Sequence, residues 1–430
     1  MPYLTELMLP SLALAGIAFG LSFQYHKNAA FFIFTLFFIL SDVVNPVLFI
    51  NNEKMYRESP WGYVKDFDFS FNQLLLSYAD SEFIFVVIAA LMLVFFAVSC
   101  KMTNGFAGTL PTATTPEIQL RNEKIIGISI VALAALNFLL YHYRLGITGL
   151  QGGAPYHLFG LTHYVRSYFL PVILALLLGK YTPSKFTVVL IFLYAFLAGI
   201  ASASRFVAVI PVLILIYNFH QRKQYGLIAF SIAYCLLLWL TISTSRILTF
   251  SKERYDMLHV IYFSLTENSG ESIVGFFDLV SGRLSGAQQV VLAYQLKGVG
   301  NCNHIVSFFL GDSICTNTAL EVFNLDLSGT GYGVGLSVIP SIMISSPSRW
   351  DYILPSLLIG IFLVLTNIIH KHISRVGGFP LLAYLYLIFS CIFLFAGPLR
   401  FFYYLHAAAF VVLGILAYWR KKRRCPYEGS

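Results

Sequence analysis

Charge is scarce in this chain. Asp, Glu, Lys and Arg together supply only 11% of its 430 residues, while 58% are hydrophobic. An ordinary soluble domain carries about a quarter charged residues, so that class is excluded and a membrane protein is expected. Also missing are an internal repeat, a low-complexity tract and any stretch polar enough to fold as a separate soluble unit, so residues 1–430 read as a single integral membrane domain. The first residues, MPYLTELML, lack the positive segment of a secretory signal, and the apolar run that follows is read as retained. Cysteine is rare too: there are six, in no metal-ligand pattern.

Apolar runs of about 17 to 22 residues, long enough for spanning helices, recur along almost the whole sequence. Eleven are expected, near 7–24, 29–50, 83–100, 125–142, 164–179, 184–202, 205–219, 225–245, 352–369, 379–397 and 401–418. The fold class is accordingly all-α, a polytopic membrane protein with about eleven transmembrane helices. Lysine and arginine set its orientation. The segments LRNEK (120–124), KYTPSK (180–185), HQRKQ (220–224), KHISR (371–375) and the tail WRKKRR (419–424) fall on one side of an eleven-span chain, which the positive-inside rule makes the cytoplasm. The net charge of +8 arises mainly from this excess, so no nucleic-acid partner is read into it, and the basic tail 419–430 is expected to touch anionic lipid.

The outer side holds three substantial loops, 51–82, 143–163 and 246–351. The last is too long and too patterned to be a linker, and its mixed apolar and polar segments predict short amphipathic helices on the outer surface. Within it, GTGYGVGLS (329–337) has alternating glycines that suit either close approach of backbone to a ligand or a flexible connection. Cys302 and Cys315 also lie there, a disulfide candidate in an oxidising compartment or else two separate buried thiols, whereas Cys100 and Cys425 face the cytoplasm and Cys235 and Cys391 fall in spans.

Arginines are the informative residues. Arg166 opens one span, Arg205 opens another in the stretch SASRFVAVIPVLILI, Arg246 closes a third, Arg400 stands between the last two, and Arg283 lies in the long loop. A guanidinium cannot shed its proton and is unfavourable in hydrocarbon, so something must offset it. Its rigid fork of donors suits a phosphate bidentately. A lipid diphosphate at the outer headgroup level would meet all of these side chains; the alternative for any single one is snorkelling to ordinary lipid phosphates.

Other candidates are Asp66 and Asp68, a DxD of the kind that holds a divalent cation against a diphosphate, although a two-residue motif is cheap and a solvated loop is the favoured reading. His157, His163 and His304 are candidate general bases by chemistry, without a visible orienting partner. Asp42, Asn45 and Pro46 mark a kink in the second span. Aromatics form 16% of the chain, and clusters such as RFFYYLH (400–406) and GAPYHLFGLTHY (153–164) offer flat faces for sugar rings beside arginines, besides their commoner role in interfacial belts.

With Ser202, Ala203, Ser204 and Arg205 at the outer start of a span, one large outer loop late in the chain, Arg283 within it, and GTGYGVGLS ahead of a closing set of spans, the sequence resembles the bacterial O-antigen polymerase family, the oligosaccharide repeat-unit polymerases. That resemblance implies transfer of a growing glycan from undecaprenyl diphosphate to the non-reducing end of another lipid-linked repeat unit, at the periplasmic face of the inner membrane. It implies Arg205 and Arg283, then Arg166, Arg246 and Arg400, as diphosphate clamps, and His163, His304 or Glu321 as the base. No cofactor and no metal are expected, and a chain-length-determining co-polymerase is the implied protein partner. O-antigen ligases share the layout and pair loop arginines with a histidine, which keeps His304 open for that reaction. A metal-dependent polyprenyl-phosphate-sugar glycosyltransferase and a lipid-linked oligosaccharide flippase are the other readings. Transporters commonly carry midplane charges and repeated halves, which this sequence does not display.

Overall fold

A computed structural model describes residues 116–143, 170–178, 183–250, 353–375, 380–395 and 402–411, with isolated positions between 13 and 101 and at 166, 168, 258, 259, 262, 338, 342, 413 and 414. Among the described residues all regular structure is helical. In chain order the helices are α1 (Pro116–His142), α2 (Leu170–Leu178), α3 (Lys185–Ser202), α4 (Arg205–Gln221), α5 (Tyr225–Phe250), α6 (Ile353–Arg375) and α7 (Pro380–Phe395), followed by α8 (Phe402–Val411). They occupy the stretches where the fourth to eleventh spans are expected. Three of them, over Glu123–His142, Lys185–Ser202 and Ile353–Ser374, are long and apolar enough to cross a membrane by length and composition. Spans one to three, most of the loop 246–351 with its amphipathic helices, and the tail 419–430 lie outside the described residues.

Two boundaries differ from expectation, both because a charged residue was taken for a helix end. KHISR (371–375) is the last turn of α6 rather than a connecting turn, since no breaker occurs until Gly377 and Gly378. Arg246 lies inside α5, which runs on to Phe250 through the apolar residues Ile247 and Leu248.

The helix ends show how the sequence sets the packing. Ser184 caps α3, its hydroxyl accepting from the Thr187 N–H at 3.2 Å. The Ser184 N–H in turn donates to Glu123 Oε1 at 2.9 Å, which ties the start of α3 to a point about two turns into α1. At its other end α3 closes in a Schellman turn: the Ser204 N–H donates to the Gly199 carbonyl and the Ala203 N–H to that of Ile200, both at 3.1 Å. Ala203 takes the left-handed position, φ 48°, that glycine usually fills. Two residues therefore suffice to reverse the chain into α4.

Helix α4 is the centre of the bundle, touching α2, α3, α5 and α7. Gly199 makes the α3–α4–α5 contact possible. A methyl at that position would lie 2.7 Å from Ala208 Cβ of α4 and 2.6 Å from Ile242 Cδ1 of α5. Across the same three helices, Tyr234 of α5 donates its hydroxyl to the Phe192 carbonyl of α3 at 2.6 Å. Pro211 removes one helical donor within α4 and weakens the ladder opposite Val207.

Ring contacts fix the direction of α7. Phe206 stacks on Phe389 at 5.6 Å and Tyr217 on Tyr384 at 4.4 Å, so α7 runs antiparallel to α4. Helices α6, α7 and α8 share a core of Ile369, Ile373, Ala383, Tyr386 and Ala409. With these directions, Lys124, Lys185, Arg222, Lys223 and Lys371 gather at one end of the bundle, and the Ser202–Arg205 turn stands at the other. The faces turned away from the core are apolar: Ile128 on α1, Phe186 on α3 and Phe230 on α5 are among the exposed large side chains. Such a surface is at home in hydrocarbon and not in water.

Candidate functional site

The turn joining α3 to α4 is unusual for a connection between helices because it is buried, with Ser202, Ala203, Ser204 and Arg205 all at 7% exposure or less. Ser202 satisfies its hydroxyl locally, donating to the Ala198 carbonyl at 2.6 Å. Ser204 stands at the N-cap of α4 without making a side-chain cap bond. The next residue, Arg205, begins the helix. Its guanidinium carbon lies 4.5 Å from the centroid of the Trp239 ring, which α5 presents from the facing side.

Arg166 arrives from a different part of the chain. It lies in a wide, π-type turn just before α2 and is only 3% exposed. Such turns redirect side chains and are frequent at functional sites. The Tyr194 phenol of α3 lies near the Arg166 guanidinium, and Asn137 of α1 lies near the same phenol. Two residues on, Tyr168 packs against Phe206 at 5.6 Å, Phe389 at 5.5 Å and Phe393 at 5.8 Å. Since Phe206 follows Arg205 directly, this aromatic cluster brings the backbones at Arg166 and Arg205 toward the junction of α2, α4 and α7. The guanidiniums meet different neighbours, Arg166 near Tyr194 of α3 and Arg205 over Trp239 of α5.

Snorkelling is therefore excluded for these two residues. A snorkelling arginine runs its stem along the protein surface and puts its head in water or among headgroups, whereas both of these are enclosed by the bundle. Arg205 sits at the N-terminal end of α4, where the helix dipole adds partial positive charge. Among the described side chains the one carboxylate, Glu123, lies at the opposite end of the bundle. A buried cation at a helix N-terminus raises the affinity of the region for an anion, because both terms favour negative charge there.

The other candidates are distributed differently. Arg246 is in the last two turns of α5, its side chain outside the described residues. Arg283, Arg400, His163, His304 and Glu321 lie outside them, as do His157, Asp66, Asp68, Cys302 and Cys315. Among the described residues no three His, Cys, Asp or Glu gather where they could hold a metal ion.

Sequence reasoning missed Trp239, Tyr194 and Asn137, which sit inside apolar runs and give no one-dimensional signal of facing an arginine. It also misread part of RFFYYLH. Phe402 and His406 are not available as a sugar platform, being 0% and 1% exposed. His406 bridges helices instead. Its Nδ1 is 2.7 Å from the Phe402 carbonyl, which can only accept, so that nitrogen carries the proton. The Thr366 hydroxyl of α6 donates its one proton to the Phe362 carbonyl at 2.8 Å, and its oxygen lies 2.7 Å from His406 Nε2. Tyr404 between them does face outward.

No protein-family model matches the chain, and no curated protein or solved structure is similar enough to count as a match.

Proposed function

We propose that the chain is a polysaccharide repeat-unit polymerase of the O-antigen type, a glycosyltransferase that moves a glycan from undecaprenyl diphosphate to the non-reducing end of another lipid-linked unit. The observation that carries this reading is that two arginines from separate elements, Arg166 and Arg205, are both buried in the bundle, their backbones linked through the Tyr168–Phe206 contact at the end away from the basic turns. In this reading the basic end is cytoplasmic, the chain crosses the bacterial inner membrane about eleven times, and the arginine end faces the periplasm.

The chemistry follows from where charge develops. The acceptor hydroxyl attacks the anomeric carbon as the bond from that carbon to the diphosphate oxygen breaks, and the electron pair leaves on the prenyl diphosphate. Donors fixed in advance around that leaving group stabilise the charge as it forms, without reorganisation. Arg166 and Arg205 fill this role, with Arg246, Arg283 and Arg400 proposed to complete the clamp. The hydroxyl proton passes to a base, for which His163, His304 and Glu321 are the candidates. The lipid bilayer, the carrier-linked oligosaccharide and a chain-length-determining co-polymerase are the proposed partners.

Reconstitution of the protein with purified lipid-linked repeat units tests this reading. Products longer by whole repeats are expected, and they should persist in EDTA. Activity lost in EDTA and restored by Mg or Mn would transfer the assignment to a metal-dependent glycosyltransferase centred on Asp66 and Asp68. Movement of the units across the bilayer without lengthening would make the protein a flippase, and transfer to a lipid A core acceptor would make it a ligase.

A further inference from the structure

We infer that Trp239 is a positioning residue for Arg205, setting the plane in which its guanidinium donates. A guanidinium directs its five N–H bonds only within its own plane, so the orientation of that plane decides which oxygens it can reach. An aromatic ring beneath the cation holds it by attraction to the π-face and uses none of those donors. A carboxylate partner in the same place would occupy one edge of the fork and cancel the charge. The indole at 4.5 Å therefore orients Arg205 without drawing on its N–H donors.

The ring itself is fixed by packing. Trp239 precedes Ile242 by one turn of α5, and Ile242, fully buried, fills the notch that Gly199 leaves between α3 and α4. Tyr234, about one turn earlier, is bonded to the Phe192 carbonyl of α3. Helix α5 is thus locked to its neighbours on both sides of the tryptophan and cannot slide along α4 without breaking these contacts. Position 239 then holds the guanidinium at a set depth as well as a set angle. Leu238 beside it and Ile242 one turn on are fully buried, so the tryptophan borders the inward face.

This inference rests on the diphosphate reading of Arg205, and two readouts separate the two. The first uses the full-length protein in proteoliposomes with Trp61, Trp350 and Trp419 changed to Phe, so that emission reports Trp239 alone. Titration with inorganic pyrophosphate should give a saturable change in that emission, absent when Arg205→Ala is added. The second is transfer kinetics. Trp239→Phe should keep kcat within about threefold of the parent, and Trp239→Leu should lower it about tenfold or more, with KM for the lipid-linked donor nearly unchanged. An emission response that persists without Arg205 overturns the inference, as does a Leu variant that works like the Phe variant. If the Leu variant does not fold, the emission titration decides alone. Transfer that needs Arg205 but ignores the ring at 239 refutes positioning and leaves the polymerase reading standing. A pyrophosphate response in a protein that makes no polymer does the reverse.

Discussion

Arg205→Ala is expected to abolish polymer, lowering transfer by about a hundredfold or more while single repeat units stay loaded on their carrier. The size follows from losing a fixed donor at a leaving group, a change that costs enzymes about 10²–10³ in kcat. Arg205→Lys should restore little, because an ammonium is a point charge without the planar fork. Thermal stability should change far less than activity, because the Ala variant loses the ring contact with Trp239 while desolvation and dipole repulsion of the cation are relieved. Chain length read on a gel, beside a melting curve in detergent, separates the two effects. Loss of polymer together with collapse of the fold would mean that Arg205 is structural.

Gly199→Ala is the second large effect, and it acts through the scaffold. The added methyl would meet Ala208 Cβ and Ile242 Cδ1 at 2.7 and 2.6 Å, well inside van der Waals contact. Ile242 can turn its terminal carbon aside, but Ala208 has no rotamer to change, so α3 and α4 must part. Overpacking of this kind destabilises by about 1–3 kcal/mol. It should also reduce transfer, because the same junction places Trp239 against Arg205. Adding Ala208→Gly should recover part of the stability by removing one of the two collisions, measured as a shift of the melting midpoint. An Ala variant as stable and active as the parent would show that this contact is not tight.

The helices were legible where long apolar runs met clear breakers. The Ser184 cap, the end of α3 at Ser202 and the start of α4 at Arg205 all fall where composition places them, since crossing a bilayer demands length and apolarity above everything else. Charge misled at Arg246 and at Lys371–Arg375, where basic residues read as loop continue the helix, because a helix end that leaves the hydrocarbon accepts charge without breaking. Arg166 and Arg205 stood out because a permanent cation in an apolar run is unfavourable whatever surrounds it. Their surroundings did not. Trp239 lies 34 residues beyond Arg205 inside an unbroken leucine-rich segment, and only the packing of α5 on α4 reveals that the two face each other. His406 shows the opposite case, a polar residue beside aromatics that suggested a surface site and in fact ties α8 to α6.

The central claim is that Arg166 and Arg205 act on one anion, and a double-mutant cycle on pyrophosphate affinity tests it most directly. Kd would be measured for the parent, Arg166→Ala, Arg205→Ala and the double variant in the same lipid. Two forks on one diphosphate predict a coupling of about 1 kcal/mol or more, because removing either alters what the other still holds. Losses that add to within about 0.5 kcal/mol would place the two guanidiniums on separate tasks and contradict the account.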